Sequence, residues 1–508
     1  MRIDPLTTAV RPRPVALALP GHRRLVVLTA DGQLEADHTT EVRRLLERLK
    51  RGRFVIFTLG GLVALKHVTD SREWTCHTWR GHAVRMVHEP TGCRFTSTRG
   101  TLDDTPEVAL GDLLEVVSWL HDYGVGAGPV STVAWHLFRA SLAEPVKINC
   151  DPRIARPALF GGRQQATIRL DDYGQPKTYS NMVTHDIRRA YPHAMGARPY
   201  GLDFRRVSPS TDLDPTCPGL ALARVIVPDA RELTHAPLPV RVAPRIIQFP
   251  HGRIEGTWTW LELSAAARLG CDVTVRSCWA PRTTVDLFAG WWPIALDSDT
   301  LSTLGARTLA KAMTTALWGH FAMNGHDSGI TRWRDPAGRE PYRLNKPARH
   351  LPHERAVCVA VETTSRVRTR LLLEGLYGDR KGQPVHADTD GVIVRGGSKL
   401  PSPSGDAPGH WREKERMRRL EIRAPQLYRS TCGQGCGVTH ARWHYTAAGV
   451  RREQAVALFE ARWRRPPTEV AYRNAFDMVL PPGHVDDRER LRRLLAEAHA
   501  AGGDGIDW

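Results

Sequence analysis

Three segments of the sequence carry residue types whose order and spacing suit metal-assisted phosphoryl chemistry. In Thr184-His185-Asp186-Ile187-Arg188-Arg189-Ala190-Tyr191-Pro192, a β-prone run delivers a carboxylate at its end and an aromatic ring five residues later. A carboxylate on rigid backbone can hold Mg²⁺ while leaving coordination positions open for phosphate oxygens; the same Asp could equally cap the turn that follows. In Val385-His386-Ala387-Asp388-Thr389-Asp390-Gly391-Val392-Ile393-Val394, two β-prone runs meet at a tight Thr-Asp-Gly turn, which predicts a hairpin. Such a turn brings Asp388 and Asp390 toward one space, where divalent cations would relieve their repulsion. An ordinary Asp- and Gly-rich turn is the plainer reading. The run Ala306 to Gly319 predicts a helix with Arg307, Lys311, Thr315 and Trp318 on one face and Leu309, Met313, Ala316 and Leu317 on the other. Arg307 and Lys311 could grip a triphosphate while Trp318 packs on a base or sugar, unless the face is simply solvated.

Taken in their order along the chain, these segments resemble motifs A, B and C of family-B DNA polymerases. The family forms Asp-x2-Ser-Leu-Tyr-Pro, Lys-x3-Asn-Ser-x-Tyr-Gly and Asp-Thr-Asp-Ser correspond to Asp186–Pro192, Lys311–Gly319 and Asp388–Gly391. Leu159-Phe160-Gly161-Gly162 resembles the family's Tyr-x-Gly-Gly linker, Thr363-Thr364-Ser365-Arg366 its Thr-x2-Gly/Ala-Arg element, and Gln426-Leu427-Tyr428 its Lys-x-Tyr motif. The short chain and the wide interval from Asp186 to Lys311 resemble the protein-primed subgroup of phages and linear plasmids. The resemblance implies a template-directed DNA polymerase with Asp186, Asp388 and Asp390 as catalytic and metal-binding residues on two Mg²⁺ ions, Mn²⁺ being an alternative. It further implies nucleotide contacts from Tyr191, Arg307, Lys311 and Trp318, with Tyr191 as a steric gate, and DNA contacts from Gly161, Gly162, Thr389, Arg366 and Tyr428. The implied partners are DNA template-primer, dNTPs and a terminal priming protein. Arg188, Arg189 and Ala190 depart from motif A, Thr315 and Trp318 from motif B, and Gln426 lacks the Lys charge that Arg423 or Arg429 could supply. Two rival readings are a catalytically inactive polymerase-like nucleic-acid-binding protein and a metal-dependent nuclease; the nuclease leaves the Arg307 and Lys311 helix unexplained.

A chain of 508 residues exceeds what one hydrophobic core supports, so several elements must position these groups. The predicted fold class is multidomain α/β and α+β. A degenerate, exonuclease-like, ribonuclease-H-like domain over 1–150 precedes a right-hand polymerase. Its palm spans 151–450, with fingers about 300–325 and insertions about 197–290 and 325–350, and 451–508 forms a small thumb. Predicted strands include 25–28, 54–59, 183–186 and 220–227; predicted helices include 42–49, 110–120, 133–142, 260–269, 308–321, 452–463 and 488–499. Gly124 to Pro129 reads as a connector and Gly396 to Gly409 as an exposed loop. In the first domain, the acids that the family's exonuclease needs are largely missing. No carboxylate follows the 54–61 run, Asp112 stands alone, and Asp31 and Glu35 are too widely spaced. No proofreading is expected.

Lys plus Arg number 71 against 54 Asp plus Glu, a net charge of +17, which favours a polyanionic partner. The absence of a long apolar run or signal-peptide pattern predicts a cytoplasmic protein with no membrane partner. The nine scattered cysteines are expected to be reduced thiols. Cys432, Cys436 and His440 are spaced as a zinc half-site or, equally, a Gly-rich turn.

Overall fold

A computed structural model describes residues 2–6, strands between 15 and 98, and residues 106–126, 130–166, 177–243, 246–322, 356–378, 384–424, 427–432 and 443–447. The expected helices 42–49, 452–463 and 488–499, the 325–350 insertion, the thumb, Gln426 and the Cys436–His440 pair lie outside the described residues. The chain divides into two compact units. The first comprises Met1–Ile148 and Leu287–Arg355, the second Asn149–Asp286 and Ala356–Trp508.

The first unit holds a seven-stranded sheet. Val15–Ala18, Leu25–Thr29 and Gly32–Ala36 pair antiparallel in sequence. Val15–Ala18 then pairs in parallel with Val55–Thr58, which pairs in parallel with Cys93–Thr98. Two further strands, His82–His88 and Trp74–Trp79, extend that edge. The helices Pro106–Asp122, Val130–Ala140 and Leu304–Thr315 bury Trp119, Leu120, Val133, Leu137, Leu309 and Met313 in one core. The apolar stripe expected of the third helix therefore faces inward at Leu309, Met313 and Leu317. The single helix expected over 306–319 is two: Leu304–Thr315, capped by Thr303, stops at Ala316, and Leu317–Ala322 follows.

Asp112 is 1 % exposed in this unit, and neither carboxylate oxygen has a hydrogen-bond partner among the described residues. It packs so tightly on Gly305 that any side chain there would collide with the carboxylate. A buried polar side chain without a partner costs folding free energy. Asp112→Leu, which keeps roughly the size and removes the unpartnered oxygens, is therefore expected to raise stability by roughly 1 kcal/mol in equilibrium urea unfolding. A lower midpoint would reveal a partner for the carboxylate.

The second unit is built on a seven-stranded sheet in the order Arg163–Ala166, His386–Thr389, Gly391–Arg395, Lys177–Ile187, Trp411–Ala424, Leu427–Cys432 and His444–Ala447. All its pairings are antiparallel. The helix Val357–Arg370 continues into a π-helical turn at Leu371–Leu376, where Gly375 packs on Trp411 and Val392 of that sheet. That helix is polar by composition yet buried nearly all round. Its hydroxyls are satisfied locally: Thr363, Thr364 and Ser365 donate to the carbonyls of Val359, Val361 and Glu362.

Within the expected 197–290 insertion, strands Phe204–Val207, Asp272–Pro281, Leu220–Val227 and Gly252–Thr259 form a separate four-stranded sheet. The helix Trp260–Arg268 packs with it, opened by a capping box between Thr259 and Glu262. Trp258, Leu263, Ala221 and Val225 lie in its core. The 396–410 segment is a loop between two strands of the larger sheet, as its Pro, Ser and Gly content predicts. Among the described residues, no helix is long and apolar enough to cross a membrane.

Candidate active site

Strand register gathers the candidate acids. Asp388 pairs across the hairpin with Gly391, Gly391 pairs on its other side with Asp186, and Asp186 pairs with Arg412 on the next strand. Residues directly opposite one another in an antiparallel sheet project to the same face, so Asp388, Gly391, Asp186 and Arg412 form one row. Gly391 places no side chain between the two acids. A Cβ at Gly391 would lie 3.3 Å from that of Asp186, so any larger residue would fill the gap. Successive strands are about 4.8 Å apart, which sets Asp388 and Asp186 about 10 Å apart along the backbone row. The turn supplies the third acid: the Ile187 N–H donates to the Asp390 carbonyl at 2.9 Å, tying the hairpin tip to the end of the Asp186 strand.

The tip is a two-residue turn in which Thr389 takes a left-handed conformation, φ 61°. For a β-branched residue this stores roughly 1–2 kcal/mol, and several contacts hold it. The Asp390 N–H donates to the Asp388 carbonyl at 2.6 Å, and the Thr389 hydroxyl donates to Asp388 Oδ1 at 3.1 Å. Gly162 closes over the turn so tightly that a Cβ on it would sit 2.8 Å from Thr389 Cγ2.

Asp186, Asp388 and Asp390 line one open cavity of about 180 Å³, together with His386, Lys414 and Tyr428. The Tyr428 ring meets His386 edge to face at 5.3 Å. Burial pushes the Tyr428 phenol up to about 12, and the Asp388 charge adds to this. Burial holds the His386 imidazole below its ordinary value, the Asp388 charge acting the other way. Tyr191 is buried at the start of the helix Ala190–Gly196, and its phenol is raised first by burial and then by the charge of Asp390.

Among the described residues, no three His, Cys, Asp or Glu side chains are close enough to form a ready-made metal cage. The row spacing is one reason. Another is that Asp186 is drawn to its neighbouring strand, with Oδ1 accepting from Arg412 Nε at 2.9 Å and Oδ2 lying 3.6 Å from Lys414 Nζ. The donor chemistry nevertheless fits Mg²⁺, which keeps several waters and is bound by one or two carboxylates plus substrate phosphates rather than by an all-protein cage.

Other residues assigned from the motifs fall elsewhere. Arg366, expected on DNA, is buried and its guanidinium is consumed internally: it binds Glu362 and the carbonyls of Ala194, Arg198 and Pro199 at 2.7–3.2 Å. It braces the segment after Asp186 rather than reaching solvent. Arg307 donates to the carbonyls of Leu301 and Ser302, fastening the start of its own helix. Lys311 is exposed on that helix and Trp318 is half-buried on the next one; all three belong to the first unit. Gly161 and Gly162 are held through Arg368, whose Nη1 donates to the Phe160 and Gly161 carbonyls at 2.6 and 2.8 Å. Arg368, Arg412 and Lys414 are absent from the motif reading. The alternating charges of Arg412-Glu413-Lys414-Glu415-Arg416 were the available signal for the last two.

No protein-family model and no curated protein matches the sequence. Solved structures do match. Phi29 DNA polymerase in complex with primer-template DNA aligns with a TM-score of 0.61 at 11 % identity, covering 88 % of this chain and 94 % of that one. The same enzyme with primer-template DNA and incoming nucleotide substrates aligns with a TM-score of 0.61 at 12 % identity, covering 87 % and 93 %. The chain shares the fold of phi29 DNA polymerase. Its complex with single-stranded DNA gives a TM-score of 0.59 at 12 % identity. The ordered motifs and the phi29 fold agree.

Proposed function

We propose that this chain is a template-directed DNA polymerase of the protein-primed family-B kind. One observation carries the reading: in a fold shared with an enzyme captured with primer-template DNA and incoming nucleotides, Asp186, Asp388 and Asp390 line a single cavity. Asp186, Asp388 and Asp390 would hold the divalent cations, Asp390 from the turn. Bound there, such ions would lower the pKa of a primer hydroxyl and stabilise the leaving pyrophosphate. The protein's own contributions are a rigid sheet that fixes the acids, a side-chain gap at Gly391, and a wall of His386 and Tyr428 along the cavity. Tyr191, whose buried phenol feels the charge of Asp390, would limit the space next to the sugar. Arg307, Lys311 and Trp318 would serve the nucleotide, with Arg307 first released from its helix start. The 197–290 subdomain is a candidate surface for a terminal protein and DNA.

The first unit's sheet runs antiparallel through three sequential strands and then parallel through 55–58 and 93–98, which supports a ribonuclease-H-like origin. Strands 15–18, 25–29 and 55–58 carry no carboxylate, and Asp112 is sealed against Gly305. Among the described residues, those three strands offer a two-metal nuclease centre no acids. We therefore read this unit as lacking proofreading.

The test is primer extension with dNTPs and Mg²⁺. Template-dependent elongation supports the polymerase. On a primer with a 3′ mismatch, no Mg²⁺-dependent excision is expected before or without extension; excision that survives Asp388→Asn would locate a working nuclease in the first unit. The ion pairs on Asp186 are the one observation favouring a catalytically inactive nucleic-acid-binding protein, and duplex binding without any elongation would establish that reading instead.

A further inference from the structure

The neighbouring strand departs from regular pairing beside the candidate acids. Asp186 lies opposite Arg412, His185 opposite Glu413, and Thr184 opposite Glu415, so the register shifts by one residue and Lys414 is left without a partner in the ladder. A bulge of this kind kinks the strand and re-aims the side chain of the extra residue. Lys414, the extra residue, lines the carboxylate cavity with its side chain. The result is that both oxygens of Asp186 face cations: Oδ1 receives a hydrogen bond from Arg412 at 2.9 Å, and Oδ2 faces the Lys414 ammonium at 3.6 Å.

The two cations are not equivalent. Arg412 sits in the regular row and its side chain is 35 % exposed, whereas the Lys414 side chain is 60 % exposed and stands off at the longer distance. An ammonium on a flexible stem is a point charge that moves readily, while a guanidinium hydrogen-bonded at its Nε is held in orientation. Lys414 is therefore the group that an incoming cation would displace first.

We propose that Lys414 is a displaceable counter-ion for Asp186, competing with divalent cations for the second carboxylate oxygen and setting the affinity of the site for them. The inference rests on the reading of Asp186 as a metal ligand. When a cation takes that oxygen, Lys414 remains on the cavity rim with its charge unpaired and becomes free to meet a phosphate of DNA or nucleotide. Lys414 is thus a positioning residue. It keeps the carboxylate aligned while no ion is bound and yields it as the site fills, so loading of cation and of phosphate reinforce each other.

The experiment measures Mn²⁺ binding to the full chain without DNA, by the loss of the free-ion electron paramagnetic resonance signal. Lys414→Met should bind Mn²⁺ about two- to fivefold more tightly than the wild type, the range that an exposed ion pair is worth. Lys414→Arg, which restores the charge, should bind Mn²⁺ no more tightly than the wild type. In an Asp186→Asn background, Lys414→Met should have no effect, because the competition is gone. A dissociation constant unchanged or weakened by Lys414→Met, in a protein that melts like the wild type, overturns the proposal. If Asp388→Asn weakens Mn²⁺ binding but Lys414→Met does not tighten it, only the counter-ion role is lost. If the wild type shows no saturable binding that Asp186→Asn or Asp388→Asn reduces, the metal reading itself fails and the counter-ion role with it.

Discussion

Asp388→Asn and Asp186→Asn should each lower single-nucleotide addition on a primed template by about a thousandfold or more, the scale on which charge compensation contributes to phosphoryl transfer. Duplex affinity should change little. Both acids project from one row of the sheet, separated only by Gly391, so each substitution leaves the backbone, the gap and the cavity wall as they are. An amide of the same shape removes the negative charge that holds a hard cation. The overall charge of +17 changes by one unit, so counter-ion release on binding DNA is nearly unaffected. The two variants differ in one respect. Asp186→Asn unpairs the exposed Lys414, which should slightly strengthen DNA binding, whereas Asp388→Asn has no such effect. Quench-flow extension and filter binding at fixed salt check both quantities. Extension within tenfold of the wild type would remove these acids from the chemistry, and parallel loss of binding and extension would point to a damaged hairpin.

Where local pattern and tertiary packing agree, the elements were legible. The strand expected over 220–227 is observed over Leu220–Val227 because its alternating apolar residues have a core on one side. The hairpin at 385–394 follows from a turn flanked by β-prone runs, and register then brings Asp186 beside it. Register itself was not legible: that Asp186 faces Arg412 and Lys414 depends on a strand 226 positions away. Nor does composition distinguish an arginine that meets DNA from one buried in protein. Thr363 to Arg368 reads as a polar stretch, yet the helix is surrounded and its cations meet carboxylates and carbonyls. The expected 306–319 helix failed at Ala316 because nothing in its periodicity marks a break; the apolar stripe continues from Met313 to Leu317 across it.

Arg368→Met should strongly destabilise the second unit, costing about 3–5 kcal/mol. The Arg368 and Glu262 side chains are 2 % and 3 % exposed, so neither charge retains water. Arg368 Nε and Nη2 donate to Glu262 Oε1 at 3.1 and 2.7 Å, and Nη1 serves the Phe160 and Gly161 carbonyls. Removing the guanidinium strands a buried carboxylate that also completes the capping box of the helix Trp260–Arg268, and leaves two carbonyls unmet. Lys cannot replace the fork, because one ammonium cannot reach these acceptors in their separate directions. Pairing Arg368→Met with Glu262→Gln should recover part of the loss, since the worst consequence is the orphaned charge. The effect should also reach the candidate site. Phe160 and Gly161 lead directly into Gly162, which packs on Thr389 at the strained turn between Asp388 and Asp390, so a loosened linker lets that turn relax. Equilibrium urea unfolding of the single and double variants, with extension rates measured well below the unfolding transition, tests both steps. A single-variant loss under about 1 kcal/mol, the most that a solvent-screened pair gives, would show that water reaches Glu262 and that the linker is held by something other than Arg368.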